Sequence, residues 1–223
     1  MAVLQFRHMR RPALHLIAGL FGFTLPIQQA AAHPHEFVTM AVQANFNVND
    51  QLSGLTYTWT FDEFFTAYAI EGEDANKNGK AEPEELRKLL NHILGNIKSI
   101  DYFTAFGNSG AQPELATARP LESVMKGRQL QISFQLPFKK PLTLGKQSLK
   151  FAIYDDEFYI AMNHDEKSLE RIIPASMEGC SADLSFPDPD DELVAFASSL
   201  GKEESSGGGL GASFAEWMSI SCK

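Results

Sequence analysis

Leu55-Thr-Tyr-Thr-Trp-Thr60 runs into Phe61-Asp-Glu-Phe-Phe65, and Asp74-Ala-Asn-Lys-Asn-Gly79-Lys-Ala-Glu-Pro-Glu-Glu85 then leads into Leu86-Arg-Lys-Leu-Leu90. The hydrophobic period changes along this stretch. Leu55, Tyr57 and Trp59 alternate with threonines, which predicts a strand with one face buried. Thr60 and Glu63 have the spacing of a capping box, in which a hydroxyl and a carboxylate satisfy the free amides of a helix start. Phe61, Phe64, Phe65, Tyr68 and Ala69 then follow a helical spacing. After the acidic loop, Leu86, Leu89, Leu90, Ile93, Leu94 and Ile97 recur with the helical period. Pro83 stands at the first turn, where a missing amide proton costs nothing. The expectation is a strand that feeds a helix–loop–helix over about residues 61–98.

Working outward, alternation dominates on both sides. Glu36 to Asn47 reads as a strand that forms a hairpin with Leu55 to Thr60 across the turn residues Asn49, Asp50 and Gly54. Beyond Ser99, strands are expected at Tyr102–Phe106, Leu115–Val124, Leu130–Pro137, Gln147–Tyr154, Glu157–Met162 and Met177–Phe186. Asp188–Leu200 reads as a helix with Leu193, Phe196, Ala197 and Leu200 on one face. Lys202–Gly211 reads as a polar, flexible linker, and Ala212–Cys222 as a last strand. The fold class is therefore α+β: a mainly antiparallel β-sheet or sandwich with an inserted EF-hand-like helix–loop–helix.

The start of the chain has a separate logic. Arg7, Arg10 and Arg11 precede an apolar stretch from Ala13 to Ile27, and Ala30-Ala31-Ala32 supplies small residues for cleavage. This is the pattern of a signal peptide over residues 1–32, leaving 33–223 as one exported, periplasmic domain. A retained anchor is the alternative; His15 and Pro26 interrupt the apolar run, and no membrane span is expected after cleavage. Cleavage removes three arginines and no acid, leaving 16 basic and 28 acidic residues and a formal charge of −12. Such a chain offers no basic stripe to nucleic acid, and its surface attracts cations.

Two cysteines, Cys180 and Cys222, survive processing. In an oxidising compartment they are expected to form a disulfide around the Gly201–Gly211 stretch, contributing roughly 3–4 kcal/mol. A thiolate metal pair is the alternative.

The residues from Asp74 to Glu85 follow the twelve-position calcium loop. Asp74, Asn76 and Asn78 offer side-chain oxygens, Lys80 its carbonyl, Glu82 a water-mediated contact and Glu85 a bidentate carboxylate, with Gly79 at the sharp turn. Ala81 departs from the pattern, standing where a larger apolar residue joins a second hand. A set of three acids and two amides suits an affinity of about 10⁻⁴–10⁻³ M and a bracing role. His33-Pro34-His35 becomes the N-terminus on cleavage after Ala32. A terminal histidine offers its amine and ring together, and His35 adds another nitrogen, a set suited to nickel, cobalt, copper or zinc. Pro34 has no amide proton to give up. His92 reads as a surface residue and His164 as a turn residue.

These pieces occur in an order that resembles a known family: His33-Pro-His35-x-Phe37, Thr58-Trp-Thr-Phe-Asp-Glu63, the acidic loop, Asp101-Tyr-Phe103, Tyr154-Asp155 with Phe158-Tyr159, Gly179-Cys180 and Cys222. The chain is similar to the exported bacterial family catalogued as domain of unknown function 1007, the periplasmic component of an uncharacterised ABC-type transport system. The resemblance implies a periplasmic location and an inner-membrane metal permease as partner. With the chemistry of carboxylates, it nominates Asp62 and Asp155 as supporting metal ligands. Two other classes stand beside this one. One is a calcium-stabilised interaction module without a transition metal; the other is an enzyme, for instance a copper oxidase, whose chemistry needs a third nitrogen from a distant histidine, with only His92 and His164 remaining, while no nucleophile elbow, phosphate loop or zinc-protease motif points to another enzyme. No enzyme is expected.

Overall fold

Strand β1 (Glu36–Phe46) and strand β2 (Leu52–Phe61) pair antiparallel, with Val38, Met40, Val42 and Ala44 opposite Phe61, Trp59, Tyr57 and Leu55. All eight side chains are buried, because successive residues of a strand face opposite sides and this register brings the two apolar sets to one face. The computed structural model describes residues 33–145 and 147–223; the expected signal peptide over residues 1–32 lies outside them.

Strand β3 (Thr104–Phe106) opens a second sheet, while β4 (Arg119–Lys126) and β5 (Gln129–Leu142) extend the first. Strand β5 lays Ile132, Phe134 and Leu136 against Trp59, Tyr57 and Leu55. Three further strands, β6 (Leu149–Ile153), β7 (Ile160–His164) and β8 (Cys180–Ser185), precede the last one, β9 (Trp217–Cys222). The first sheet has the order β4-β5-β2-β1-β7 and the second β3-β6-β9-β8. Pairing is antiparallel throughout except for β1 and β7, which run parallel. The sheets share one core, in which Met40, Tyr57, Trp59, Ile132 and Phe134 join Leu149, Phe151, Met218 and Ile220. A buried hydrogen bond between the Tyr57 hydroxyl and Thr104 Oγ1, 3.0 Å long, crosses from β2 to β3. The architecture is α+β with mostly antiparallel sheets.

The helices fill the remainder. Helix α1 (Glu63–Glu73) and helix α2 (Pro83–Ile97) follow β2, and α2 buries Leu86, Leu89, Leu90, Leu94 and Ile97 in the shared core. Helix α3 (Asp191–Ser199) and the short α4 (Leu210–Phe214) lie between β8 and β9. No described helix is long and apolar enough to cross a membrane.

Several sequence expectations are corrected. Thr60 stays in β2, and Asp62 caps α1, its Oδ1 accepting from the amides of Phe64 and Phe65. A β-region residue with a carboxylate satisfies two free amides, leaving the capping-box pair without a role. The start shifts the buried face of α1 onto Thr66 and Ala69; Phe64 and Tyr68 are 90% and 78% exposed. Residues Lys98–Phe103 form a 3-10 segment ending in left-handed backbone at Asp101, Tyr102 and Phe103, so β3 begins only at Thr104. The 202–211 stretch is held down: the amide and hydroxyl of Ser206 donate to Glu157 Oε2, Leu210 is buried, and α4 forms where strand was expected.

Cys180 and Cys222 are joined by a disulfide between cross-strand partners of β8 and β9, which closes the thiolate alternative.

Gly211 packs so tightly that a Cβ there would lie 1.8 Å from the Asp155 carbonyl oxygen. Gly211→Ala is expected to lower the unfolding free energy by at least ~2 kcal/mol in urea titration. At Gly95, inside α2, a Cβ meets nothing within 4 Å, and Gly95→Ala is expected to stabilise by about 0.5–1 kcal/mol.

Candidate metal-binding site

The parallel pairing of β1 with β7 does not stop at the strand ends. The amides of His35 and Glu36 both donate to the Tyr159 carbonyl, at 2.8 and 3.2 Å, and the His33 amide donates to the Ala197 carbonyl of α3 at 3.2 Å. Three backbone segments thus meet at the start of β1. The turn before β7 is closed by Asp155, whose Oδ2 accepts from Tyr159 and Ile160 at 2.9 and 3.1 Å and whose Oδ1 accepts from Glu157. Helix α1 is tied to the same corner by Asp62, since its Oδ2 accepts from the Phe37 amide at 2.8 Å.

Against this backbone frame the rings of His33 and His35 lie 4.9 Å apart at 73°, and the Tyr159 ring lies 4.9 Å from His35 and 5.8 Å from His33. His33 is 5% exposed. Nδ1 of His33 and Nε2 of His35 are buried and have no hydrogen-bond partner in the protein. A buried polar nitrogen left unpaired costs about 1–3 kcal/mol, and the side chains of Trp59, Ser123 and His164 each bury one such atom as well. Beside the rings is a cavity of about 450 Å³, lined by His35, Glu36, Tyr68, Tyr159 and Lys202 among others.

The electrostatics there are mixed. Burial holds the His35 imidazole below its ordinary value, and positive charge on His33 and at Lys202 adds to the effect. Burial first, then the Asp62 carboxylate, pushes the Glu36 carboxyl up; the Lys202 ammonium opposes this and Asp155 adds to it. A neutral imidazole is the form that offers a lone pair to a metal. Of the residues nominated from sequence, His33 and His35 are brought together. Asp62 and Asp155 lie near Glu36, but their oxygens accept backbone amides and hold the corner in shape. Among the described residues, no three His, Cys, Asp or Glu side chains gather closely enough to hold a metal ion by themselves.

In the acidic loop between α1 and α2 the side-chain oxygens accept hydrogen bonds from the loop's own amides. Asp74 Oδ1 accepts from the Asn78 amide at 3.1 Å and Oδ2 from the Gly79 amide at 2.7 Å. Asn76 Oδ1 and Asn78 Oδ1 accept from the amides of Asn78 and Lys80. The side-chain amides of Asn76 and Asn78 both donate to Glu82, and Glu85 accepts from the amides of Ala75 and Glu82. Gly79 has φ +70°, the left-handed conformation such a turn requires. Every donor atom gathered here is oxygen, a set suited to a hard cation such as calcium. Glu82 and Glu85 also cap α2 reciprocally. His92, exposed as expected, lies within α2 and contacts Glu73 at the end of α1.

Sequence reasoning missed one buried pair. His164 is the last residue of β7, not a turn residue. Glu216 Oε2 accepts from its backbone amide at 2.6 Å and contacts its Nδ1 at 2.9 Å, linking β7 to the start of β9. The only sequence signal was an acid flanked by Ala215 and Trp217 ahead of an apolar strand, which does not name its partner.

A family model described as "Protein of unknown function (DUF1007)" matches residues 18–222. A protein of Haemophilus influenzae named "Uncharacterized protein" is 31% identical over 195 residues, covering 86% of this chain and 92% of the relative.

Glu216→Ala leaves the buried His164 amide without an acceptor and is expected to cost about 1–3 kcal/mol in chemical denaturation. Glu216→Gln keeps an acceptor oxygen and is expected to lose less.

Proposed function

The chain belongs to the DUF1007 family, and on that premise we propose that it is a periplasmic metal-binding accessory protein linked to transition-metal transport. The observation that carries this reading is the adjacent pair of imidazoles with two buried, unpartnered nitrogens, Nδ1 of His33 and Nε2 of His35. Imidazole suits nickel, cobalt, copper and zinc, and the half-buried Glu36 with Asp62 and Asp155 nearby gives the corner a negative field. Asp62 and Asp155 serve by positioning: one fixes α1 against β1, the other shapes the turn that carries Tyr159. An inner-membrane permease would be the partner, and the exposed Phe64 and Tyr68 beside the cavity would face it.

In the same reading α1, the acidic loop and α2 form an EF-hand-like unit with one structural calcium. Asp74, Asn76, Asn78, Glu82, Glu85 and the Lys80 carbonyl would hold the ion, bracing α2 against the sheet. Support comes from the twelve-position spacing of these residues and from Gly79, left-handed at φ +70°. The role is binding, not catalysis.

A second reading has its own support. Lys202 lines the same cavity as His35, and its ammonium opposes a bound cation. On that view the protein is a calcium-stabilised interaction module and the imidazoles pack without a ligand.

Calorimetric titration of the exported protein separates the two. The first reading expects one site for nickel, cobalt, copper or zinc that His33→Ala/His35→Ala removes; the second expects identical traces from both proteins. For the calcium site, calcium at about 100 times its dissociation constant is expected to add about 2.7 kcal/mol of stability, seen as a higher Tm. Asp74→Ala is expected to abolish that shift.

A further inference from the structure

The two free nitrogens at the start of β1 differ in kind. In His33 the unpartnered atom is Nδ1, the ring nitrogen nearer the residue's own backbone; in His35 it is Nε2, at the far tip of the ring. Side chains of the described residues supply these two donors and no gathered third. The nearest acids other than Glu36 have given their oxygens to backbone amides. A third donor is available from one other source. If His33 begins the processed chain, its backbone nitrogen becomes an amine, and that amine with Nδ1 of the same residue closes one chelate ring through Cα, Cβ and Cγ. Only a terminal histidine can do this, and only through Nδ1.

Resting on the metal-binding reading above, we propose that cleavage between Ala32 and His33 completes a three-nitrogen copper(II) site made of the His33 amine, His33 Nδ1 and His35 Nε2. Copper(II) follows from the donor set. An all-nitrogen, tetragonal arrangement suits it, and it stands highest among the first-row divalent ions for nitrogen ligands. Pro34 has no amide proton, so the next backbone nitrogen cannot ionise and compete for the metal. The His33 N–H donates to the Ala197 carbonyl and the His33 and His35 rings lie 4.9 Å apart, so the nitrogen that becomes the amine and both rings belong to one corner of the fold. The cavity of about 450 Å³ next to His35 gives room for the ion to enter and for an outer ligand from solvent. Copper binding is thereby coupled to export, because the precursor presents an amide where the mature chain presents an amine.

The test uses protein purified from the periplasm, its N-terminus at His33 confirmed by mass, with calcium present to keep the acidic loop filled. It is compared with a copy that carries four extra alanines ahead of His33, and with His35→Ala. Copper(II) affinity is measured by competition with a chromogenic chelator, and coordination by electron paramagnetic resonance. The mature protein is expected to bind one copper(II) about 100-fold more tightly than the extended copy. Its tetragonal spectrum should show three nitrogens, two of them imidazole. His35→Ala is expected to lose one imidazole signal while circular dichroism stays unchanged. Equal affinity and equal spectra for the mature and extended chains, both abolished by His35→Ala, would overturn the amine ligand while leaving the histidine reading standing. Weak copper binding that none of the three proteins alters would overturn both.

Discussion

The contact on which the rest depends is the parallel pairing of β1 with β7 and its extension past the strand ends. The amides of His35 and Glu36 converge on the Tyr159 carbonyl. That pair of hydrogen bonds needs β7 and the turn before it in place, which Asp155 arranges with three accepted amides. The turn in turn receives Gly211 of α4 at a distance that excludes a side chain, while Ala197 of α3 accepts the His33 amide. A corner assembled from residues distant in sequence is fixed as a unit, and its two imidazoles are set before any ligand arrives.

Carboxylates divide into two kinds in this protein. Asp62, Asp155 and Asp190 accept backbone amides at helix starts and turns, work worth about 0.5–2 kcal/mol apiece, and have little left to offer a metal. Glu36 is different. It sits half-buried on the inner face of β1, where burial and the Asp62 carboxylate push its carboxyl up and disfavour the charged form. In the acidic loop the amides of Asn76 and Asn78 bridge to Glu82, so a loop of one sign holds together through its neutral members.

The sandwich was largely legible because its strands alternate strictly: the set Leu55, Tyr57, Trp59 reads as a buried face on sight, and β5 repeats it with Leu130, Ile132 and Phe134. Helix α2 was legible through its unbroken leucine period, and the loop through its spacing. Helix α1 was misread in part because Phe64 and Tyr68 satisfy a helical spacing yet face solvent, while Phe65 packs on Phe61; periodicity states that residues share a face, not that the face is buried. Capping was misread for a local reason: Thr60 stays within β2, which runs to Phe61, and the Asp62 carboxylate just past the strand's end accepts from the amides of Phe64 and Phe65. The Gly/Ser stretch looked mobile by composition, but Glu157 collects Ser205 and Ser206, a contact fixed by tertiary structure. Of the candidate site, the closeness of His33 and His35 was legible from their separation of two residues. The roles of Asp62 and Asp155, and the pairing of His164 with Glu216, rest on contacts between distant segments that one sequence does not reveal.

The central claim is that the fold holds His33 and His35 against Tyr159 with two ring nitrogens open, in the metal-free protein. Long-range proton–nitrogen NMR on labelled, metal-free protein reads this directly. The account predicts nuclear Overhauser contacts between the His33 and His35 rings and from His35 to Tyr159, with Nε2 of His35 carrying the shift of an unprotonated nitrogen near neutral pH. Averaged, coil-like ring shifts without these contacts would contradict it.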